Sequence, residues 1–283
     1  MTIFASIRRP RRSASYRLGL ICAFLLVCVG ELLPLATDLH PYDISDNLRA
    51  APRWLGGSGP TLGTDDLGRD VLSRLVYGAR SSIRVGCAVV TASMFSGVLF
   101  GLLAGVYGGW IDTFIMRTTD VIMALPSILL AIVLVAILGT GLVTAMGAAT
   151  AAAVPGFIRV TRSVAALEMK KQYAQAARIG GASTLEILWS EILPNCWVPI
   201  VAQATLGFSE AILQVAALGF LGLGARPPIA EWGAMLADAR PFIEASPHLI
   251  VLPGLCLLIT VFVFTCLGSA LQQRFDPKAW TRR

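Results

Sequence analysis

The chain has 283 residues, of which 55% are hydrophobic and 14% charged, and its mean hydropathy is +0.71. Soluble domains contain about 25% charged residues, so this composition excludes an ordinary soluble protein and indicates an integral membrane protein. The net charge of +6 does not indicate nucleic-acid binding, because the basic residues lie at the ends of apolar runs and not along one amphipathic face.

Six apolar runs are long enough to cross the hydrocarbon core, which requires about 20 residues. They cover approximately residues 18–36, 84–107, 119–140, 142–160, 197–223 and 248–270. The first could be a cleaved signal peptide, because arginines precede it. Glu31, Pro34 and the lack of a small-residue cleavage site favour a retained anchor. We therefore predict an all-α integral membrane fold with six transmembrane helices.

The distribution of lysine and arginine predicts the orientation of the spans, because these residues are enriched on the cytoplasmic side. With the N-terminus in the cytoplasm, 15 of the 23 basic residues lie on inner segments and eight on outer ones. An even number of spans returns the chain to its starting side. We therefore predict that both termini are cytoplasmic.

Residues 37–83 form a long connection that this orientation places outside, and its first part is rich in turn-forming residues. Apolar residues then recur at helical spacing, with an acid and a base four residues apart: Leu67, Val71, Leu75 and Ala79, with Asp70 and Arg74. We interpret residues 66–80 as an amphipathic helix lying on the outer membrane face. A plain extension of the second span is the alternative.

Small residues recur every four positions on two of the spans. They are Gly97, Gly101, Gly105 and Gly109 on the second span, and Ala145, Ala149 and Ala153 on the fourth. Such stripes let helices approach closely in lipid. They predict a tightly packed bundle and point to no substrate.

Two acidic residues are candidates for a polar pathway or an interface. Glu210 lies in the middle of the fifth run, where a charge costs roughly 2.5–3.5 kcal/mol on insertion scales. We hypothesise that it faces the bundle interior or a subunit interface; a protonated or paired structural acid is the alternative. Asp120 follows Arg117 closely, and we expect it at the cytoplasmic edge in a local ion pair.

The stretch between the fourth and fifth spans predicts two short helices joined by a turn. A helix over 164–180 would end at Gly180 and Gly181, because glycine is favoured just beyond a helix end. Ser183 and Glu186 have the spacing of a capping box that restarts a helix, with Leu185, Leu188, Trp189 and Ile192 on one face. Pro194 is expected to stop this second helix. The ordered pattern favours a docking surface over a routine linker.

A second short helix is predicted after the fifth span. Pro227 and Pro228 should prevent that span from continuing. Trp232, with Met235, Leu236 and Ala239, then lines one face of a helix ending near Pro241. Tryptophan is a common interfacial anchor. We interpret Pro227, Pro228, Glu231 and Trp232 as a candidate external lip, with an interfacial structural helix as the alternative.

The sequence lacks the groups that catalysis or nucleotide binding would need. It contains no G-x-x-x-x-G-K-[ST] motif, and the glycine-rich run at 56–63 has no lysine. Only two histidines are present, His40 and His248, and the six cysteines form no CxxC pair. We predict that the chain is not an enzyme and binds no cofactor or metal.

Three stretches resemble one known family. The pattern Gln175-Ala176-Ala177, Gly181 and Ile192-Leu193-Pro194 resembles the EAA loop of binding-protein-dependent ABC importer permeases, although Gln175 stands where that family has glutamate. Residues 62–80 and 220–240 are similar to the second permease subunit (C-type) of the dipeptide/oligopeptide/nickel group. The resemblance covers essentially the whole chain.

The resemblance implies a type I ABC importer permease fold in a bacterial inner membrane. Its expected parts are an anchor with an external segment over 1–81, a permease core over 82–272, a coupling loop over 163–195 and a cytoplasmic tail over 273–283. The coupling residues would be Gln175, Ala176, Ala177, Gly181, Ser183, Ile192, Leu193 and Pro194. In the family this loop docks on the ATPase subunit and transmits the ATP cycle.

The implied function is half of the translocation pathway of an importer of short peptides. The implied partners are a homologous permease subunit, two ATP-binding subunits that carry ATP and magnesium, an external solute-binding protein and the lipid bilayer. The external lip would contact the solute-binding protein or close the outer mouth of the pathway. A nickel or glutathione importer is the nearest alternative. An autonomous secondary transporter or a membrane-embedded enzyme is less well supported, because paired intramembrane charges, internal repeats and catalytic groups are missing.

Overall fold

The computed structural model describes residues 12–36, 40–57 and 59–275, and the regular secondary structure of this part is helical, with two isolated β-bridges before residue 71. The helices are α1 (Arg12–Ala36), α2 (Val71–Tyr107), α3 (Gly109–Met123), α4 (Ser127–Leu138), α5 (Leu142–Glu168), α6 (Gln172–Ile179), α7 (Thr184–Glu186), α8 (Leu193–Phe220), α9 (Trp232–Ala239) and α10 (His248–Phe275). A π-helical turn, Ile187–Ile192, joins α7 to α8. The predicted basic flanks before residue 12 and after residue 275 lie outside the described residues.

Four helices are long and apolar enough to cross a membrane: Val71–Tyr107, Leu142–Glu168, Thr184–Phe220 and His248–Gln273. The bent pair α3 and α4 makes a fifth span if it is counted as one. The apolar part of α1, Gly19–Pro34, is shorter. Length and composition of the described residues thus support four to five spans, and the count of six stays a prediction.

The third predicted span, 119–140, is wrong as a single helix. α3 and α4 meet at an angle of 88°, with the break at Ala124–Pro126. Pro126 has no N–H to continue the helical hydrogen bonds, and it restricts the residue before it. The break therefore lies where the sequence carries a proline inside an apolar run.

The separate amphipathic helix predicted at 66–80 is also wrong, and the alternative is confirmed. α2 runs without a break from Val71 to Tyr107, through the expected boundary between residues 81 and 82. Asp70 is its N-cap, and its carboxylate accepts hydrogen bonds from the N–H groups of Leu72 and Ser73. Because the Asp70 carboxylate caps the helix, it does not form the expected pair with Arg74. Arg74 instead pairs with Asp65 and Asp238.

The glycine stripe of α2 packs closely against another helix, as predicted, and the structure shows that this helix is α5. A Cβ atom on Gly97, Gly101 or Gly105 would lie 2.3, 2.6 or 2.8 Å from a Cβ atom of α5. Gly109 does not belong to the stripe, because it lies beyond the end of α2 with no atom near its Cβ position. On α5, Ala145 and Ala149 are fully buried. Close backbone approach of this kind is how helices associate in lipid.

The core lies where α8 packs against α2, α5 and α10. One end of the bundle carries α9, which packs on α8, α10 and the start of α2. The opposite end carries α6 and the π-turn, which pack near the end of α2 and of α5. These ends are called the α9 end and the α6 end below.

α1 lies beside α10 and α2 and is fixed by an ion pair. Gly19 packs against Leu267, and the carboxylate of Glu31 accepts from the guanidinium groups of Arg80 at 3.3 Å and Arg84 at 2.7 Å. The positive charge of Arg84 thus compensates the negative charge of Glu31 within this apolar helix. Glu31 is also one of the residues that favoured a retained anchor over a signal peptide.

Candidate functional site

The α6 end begins with a break in the chain's helical path after Glu168. The Glu168 carboxylate accepts hydrogen bonds from Lys171 Nζ at 2.7 Å and from the Tyr173 hydroxyl at 2.6 Å. Burial and the charge of Glu168 raise the pKa of Tyr173 above its usual value, so its hydroxyl stays a donor. The predicted single helix over 164–180 is wrong, because these side-chain bonds turn the chain at Met169–Lys171 before α6 begins.

The glycine turn after α6 is confirmed. Gly181 adopts φ +88°, and the N–H of Ala182 donates to the carbonyl of Ala177 at 3.0 Å. A left-handed residue with this hydrogen bond is the usual glycine termination of a helix. Gly180, in contrast, has an ordinary φ of −69°. Gly181 is thus the residue whose backbone conformation sets the turn.

The predicted capping box of Ser183 and Glu186 is confirmed. The Glu186 N–H donates to Ser183 Oγ at 3.2 Å, and the Ser183 N–H donates to Glu186 Oε2 at 2.7 Å. The predicted stop at Pro194 is wrong, because α7, the π-turn and α8 form one helix from Thr184 to Phe220. Pro194 lies in the first turn after the π-turn, where a missing N–H is tolerated.

The predicted apolar face of this second helix is only partly correct. Ile187, Leu188 and Ile192 are buried, whereas Leu185 and Trp189 are 58% and 57% exposed. The π-turn adds a residue to one turn and changes which side chains point inward. Sequence reasoning also missed Ile179, which ends α6 at 89% exposure. Two sets result: side chains that hold the segment on the bundle, and exposed apolar side chains around the turn.

The predicted coupling residues also divide into buried and exposed members. Ile192 is fully buried and Ala177 and Leu193 are partly buried, so these three hold the segment in place. The exposed members are Gln175, Ala176, Gly181, Ser183 and Pro194. The side chain of Gln175 donates to the Lys170 carbonyl at 3.2 Å. We call residues 172–192 the turn segment.

A recess lies between α8, α5 and the α3–α4 break. Glu210 and Gln203 of α8 line it, together with Pro126, Ser127 and Pro155. Glu210 is exposed and opens onto this recess. The hypothesis that it faces the bundle interior or a subunit interface stays a prediction.

Asp120 forms an ion pair, but not with its neighbour Arg117. Its partner is Arg159 of α5, whose Nη2 lies 2.9 Å from Asp120 Oδ1. Arg162, one turn further along α5, binds Asp112 in the same manner at 2.6 Å. These two pairs hold α3 against α5.

The α9 end differs from the predicted external lip. α8 ends at Phe220, where Gly222 adopts φ +76° and the Leu223 N–H donates to the Leu218 carbonyl at 2.9 Å. A glycine turn therefore stops the helix, and the proposed stop at Pro227 and Pro228 is wrong. Both prolines are exposed.

Trp232 and Glu231 are buried, so the interfacial anchor is also wrong. Trp232 is 2% exposed, and its Nε1–H donates to the Leu75 carbonyl at 3.1 Å while the ring covers Gly78. Glu231 is the N-cap of α9 and accepts from the N–H groups of Gly233 and Ala234. Burial raises the pKa of Glu231. The short α9 helix is therefore packed into the bundle by its first turn.

Replacing Glu231 with alanine should lower the free energy of unfolding by about 1–3 kcal/mol, because two buried N–H groups lose their acceptor. Glu231→Gln should retain most of the stability, because its amide oxygen still accepts. Thermal unfolding of the purified protein in detergent measures both, with Glu244→Ala at an exposed position as the control. Equal midpoints for Glu231→Ala and the control would contradict this assignment.

A buried charge cluster, which sequence reasoning missed, ties the segment before α2 to α9. Asp65 lies 2.6 Å from Arg69 and 3.2 Å from Arg74, and Asp238 of α9 lies 3.9 and 3.8 Å from the same two arginines. Burial raises the pKa of Asp238. The sequence shows several acids and arginines close together in residues 65–74, which could have indicated a charge cluster. It does not show that Asp238 of α9 is their partner.

These features define a helical membrane protein. At one end its turn segment exposes apolar side chains, and at the other end α9 is buried in the bundle and held by ion pairs. Residues 97–281 match the family described as binding-protein-dependent transport system inner membrane component. The chain belongs to this family and is an inner membrane permease, as predicted. α1 and the segment at 40–70 precede the matched residues.

Curated relatives match along nearly the whole chain. The di/tripeptide transport system permease protein DppC of Pseudomonas aeruginosa is 44% identical over 266 residues, covering 92% of this chain and 87% of the relative. The dipeptide transport system permease protein DppC of Escherichia coli K12 is 44% identical over 271 residues, covering 95% and 90%. The glutathione transport system permease protein GsiD of Pectobacterium atrosepticum is 40% identical, covering 96% and 93%.

Solved structures confirm the permease fold. A chain of the inward-facing MetNI methionine ABC transporter has a TM-score of 0.59 at 19% identity, covering 72% of this chain and 97% of that one. A chain of an amino acid ABC transporter with histidines has a TM-score of 0.53 at 14% identity, covering 72% and 95%. At these identities the likeness concerns the fold alone.

Proposed function

We propose that this chain is a permease subunit of an ATP-driven importer of short peptides and forms half of its translocation pathway. The observation that carries the proposal is the identity of 40–44% to dipeptide and di/tripeptide permeases over more than nine-tenths of the chain. A glutathione permease at 40% identity makes glutathione, itself a tripeptide, the second candidate substrate. A homologous permease subunit would form the other half.

The turn segment is the proposed docking site for an ATP-binding subunit. Ile179, Leu185 and Trp189 expose apolar surface there, and exposed apolar groups of this size are typical of protein interfaces. Leu188 and Ile192 are buried against the bundle and hold the segment firmly. Two such subunits would carry the ATP and magnesium, and this chain would bind neither.

The path for transmitted motion is the continuous helix from α7 to α8. It begins in the turn segment and reaches the α9 end without a break. A push on the exposed side chains would therefore move α8 as a rigid rod against α5 and α2. At the α9 end, the exposed Pro227 and Pro228 are the part of the predicted lip that remains available to an external solute-binding protein.

Reconstitution into vesicles tests the proposal. The chain would be co-purified with the homologous permease and the two ATP-binding subunits, and the solute-binding protein would be supplied with the peptide. We expect ATP-dependent uptake of a labelled dipeptide, with glutathione and Ni²⁺ as competing substrates. Uptake of Ni²⁺ or glutathione in preference to the dipeptide would contradict the peptide assignment, and uptake without the ATP-binding subunits would contradict the coupling role.

A further inference from the structure

The recess beside the α3–α4 break has one acidic side chain and no basic one among its described lining residues. Gln203, Gly207 and Glu210 lie three to four residues apart, so they share one face of α8. Gly207 and Gly156 leave space between the two polar side chains, and a Cβ atom on Gly156 would lie 3.5 Å from Gln203 Nε2. The recess therefore presents the Glu210 carboxylate and the Gln203 amide with open space between them.

Glu210 has no hydrogen bond or ion pair with another residue in the described part of the chain. Two arginines further along α5 are already engaged, since Arg159 binds Asp120 and Arg162 binds Asp112. A carboxylate in a membrane-spanning helix is costly unless a cation or water compensates it. The compensating group therefore comes from outside this chain.

We infer that Glu210, with Gln203 beside it, binds the free α-ammonium group of the transported peptide during its passage. The inference rests on the proposed function. Short peptides differ in length and side chain, and the α-ammonium group is the cation that they share. An ammonium donates up to three hydrogen bonds, which a carboxylate and an amide oxygen can accept.

The other walls of the recess fit a substrate with varied side chains. Leu125, Leu130 and Phe157 are apolar and offer no directional hydrogen bond. Binding sites commonly combine such walls with a few placed polar groups that fix orientation. Glu210 would therefore orient the amino end of the peptide, while the apolar walls tolerate different side chains.

The test compares uptake by the complete reconstituted importer containing wild-type chain or Glu210→Gln. Loss of a charge-assisted hydrogen bond should reduce labelled dipeptide uptake about tenfold or more, with all subunits still co-purifying. The double variant Gln203→Glu/Glu210→Gln returns a carboxylate to the same recess and should restore uptake to within about threefold of wild type. Glu244→Gln, at an exposed position outside the recess, should leave uptake unchanged.

The outcomes separate this inference from the proposed function. If Glu210→Gln takes up dipeptide within twofold of an active wild type, or the double variant recovers nothing, ammonium recognition is overturned and the peptide importer stands. If Glu210→Gln loses the partner permease on co-purification, Glu210 is a subunit contact and the inference is equally overturned. If the wild type takes up no peptide, the proposed function fails and the inference with it.

Discussion

Replacing Gly181 with valine is expected to lower ATP-dependent uptake at least about tenfold while the chain still inserts and assembles. Gly181 adopts φ +88°, and a residue with a Cβ pays roughly 1–2 kcal/mol in the left-handed region, more when β-branched. No atom lies within 4 Å of its Cβ position, so the effect is not a clash. The turn between α6 and α7 must instead change its backbone path, which displaces the exposed docking side chains.

Gly180→Ala provides the matched control for the Gly181 substitution. Its φ of −69° suits any residue, and the added Cβ would lie 3.4 Å from two carbonyl oxygens of α6. Uptake should stay within about twofold of wild type. ATP hydrolysis by the assembled complex is measured in parallel, because hydrolysis without uptake identifies uncoupling. Normal uptake by Gly181→Val would show that the turn does not transmit the ATP cycle.

The parts of this turn that sequence predicted correctly depend on neighbours in the chain. A glycine at a helix end and a Ser-x-x-Glu spacing act within one turn, so Gly181, Ser183 and Glu186 were placed correctly. The small-residue stripe on α2 was equally readable, because its period alone places three glycines on one face.

The parts that failed depend on contacts between distant residues. Tryptophan is a residue type common at membrane interfaces, but Trp232 is buried because Gly78 leaves a space on α2 that its ring fills. No local pattern predicts this contact between α2 and α9. The break after Glu168 is different, because Lys171 and Tyr173, which bind its carboxylate, lie only three and five residues away. It was missed because helix propensity favoured continuation through 164–180.

The recess shows an intermediate case. Glu210 was recognisable from sequence, because a charge inside an apolar run is unusual. Gln203 was missed, although its spacing of seven residues from Glu210 places both on one helix face. The contribution of the α3–α4 break to the recess could not be predicted. A continuous helix over 119–140 would not have placed Pro126 and Ser127 beside Glu210.

Replacing Gly97 with alanine is expected to destabilise the whole bundle by about 1–3 kcal/mol, because α2 and α5 have no room for one added carbon. The new Cβ would lie 2.3 Å from the Cβ of Phe157 and 3.1 Å from the carbonyl oxygen of Val154. Neither neighbour is the end of a flexible side chain, so the helices must separate. This contact is central to the fold, since α2 and α5 form its most extensive helix pair.

Gly147→Ala adds the same carbon to α5 where no atom lies within 4 Å, and it should be neutral or raise stability by about 0.5–1 kcal/mol. The thermal unfolding midpoint in detergent should therefore fall for Gly97→Ala, by about 2–4 °C per kcal/mol for a chain of this size, and stay the same or rise for Gly147→Ala. Equal unfolding midpoints would mean that α2 and α5 can separate without cost. The glycine stripe would then be a loose contact that lets the two helices slide, and not the fixed support against which α8 moves.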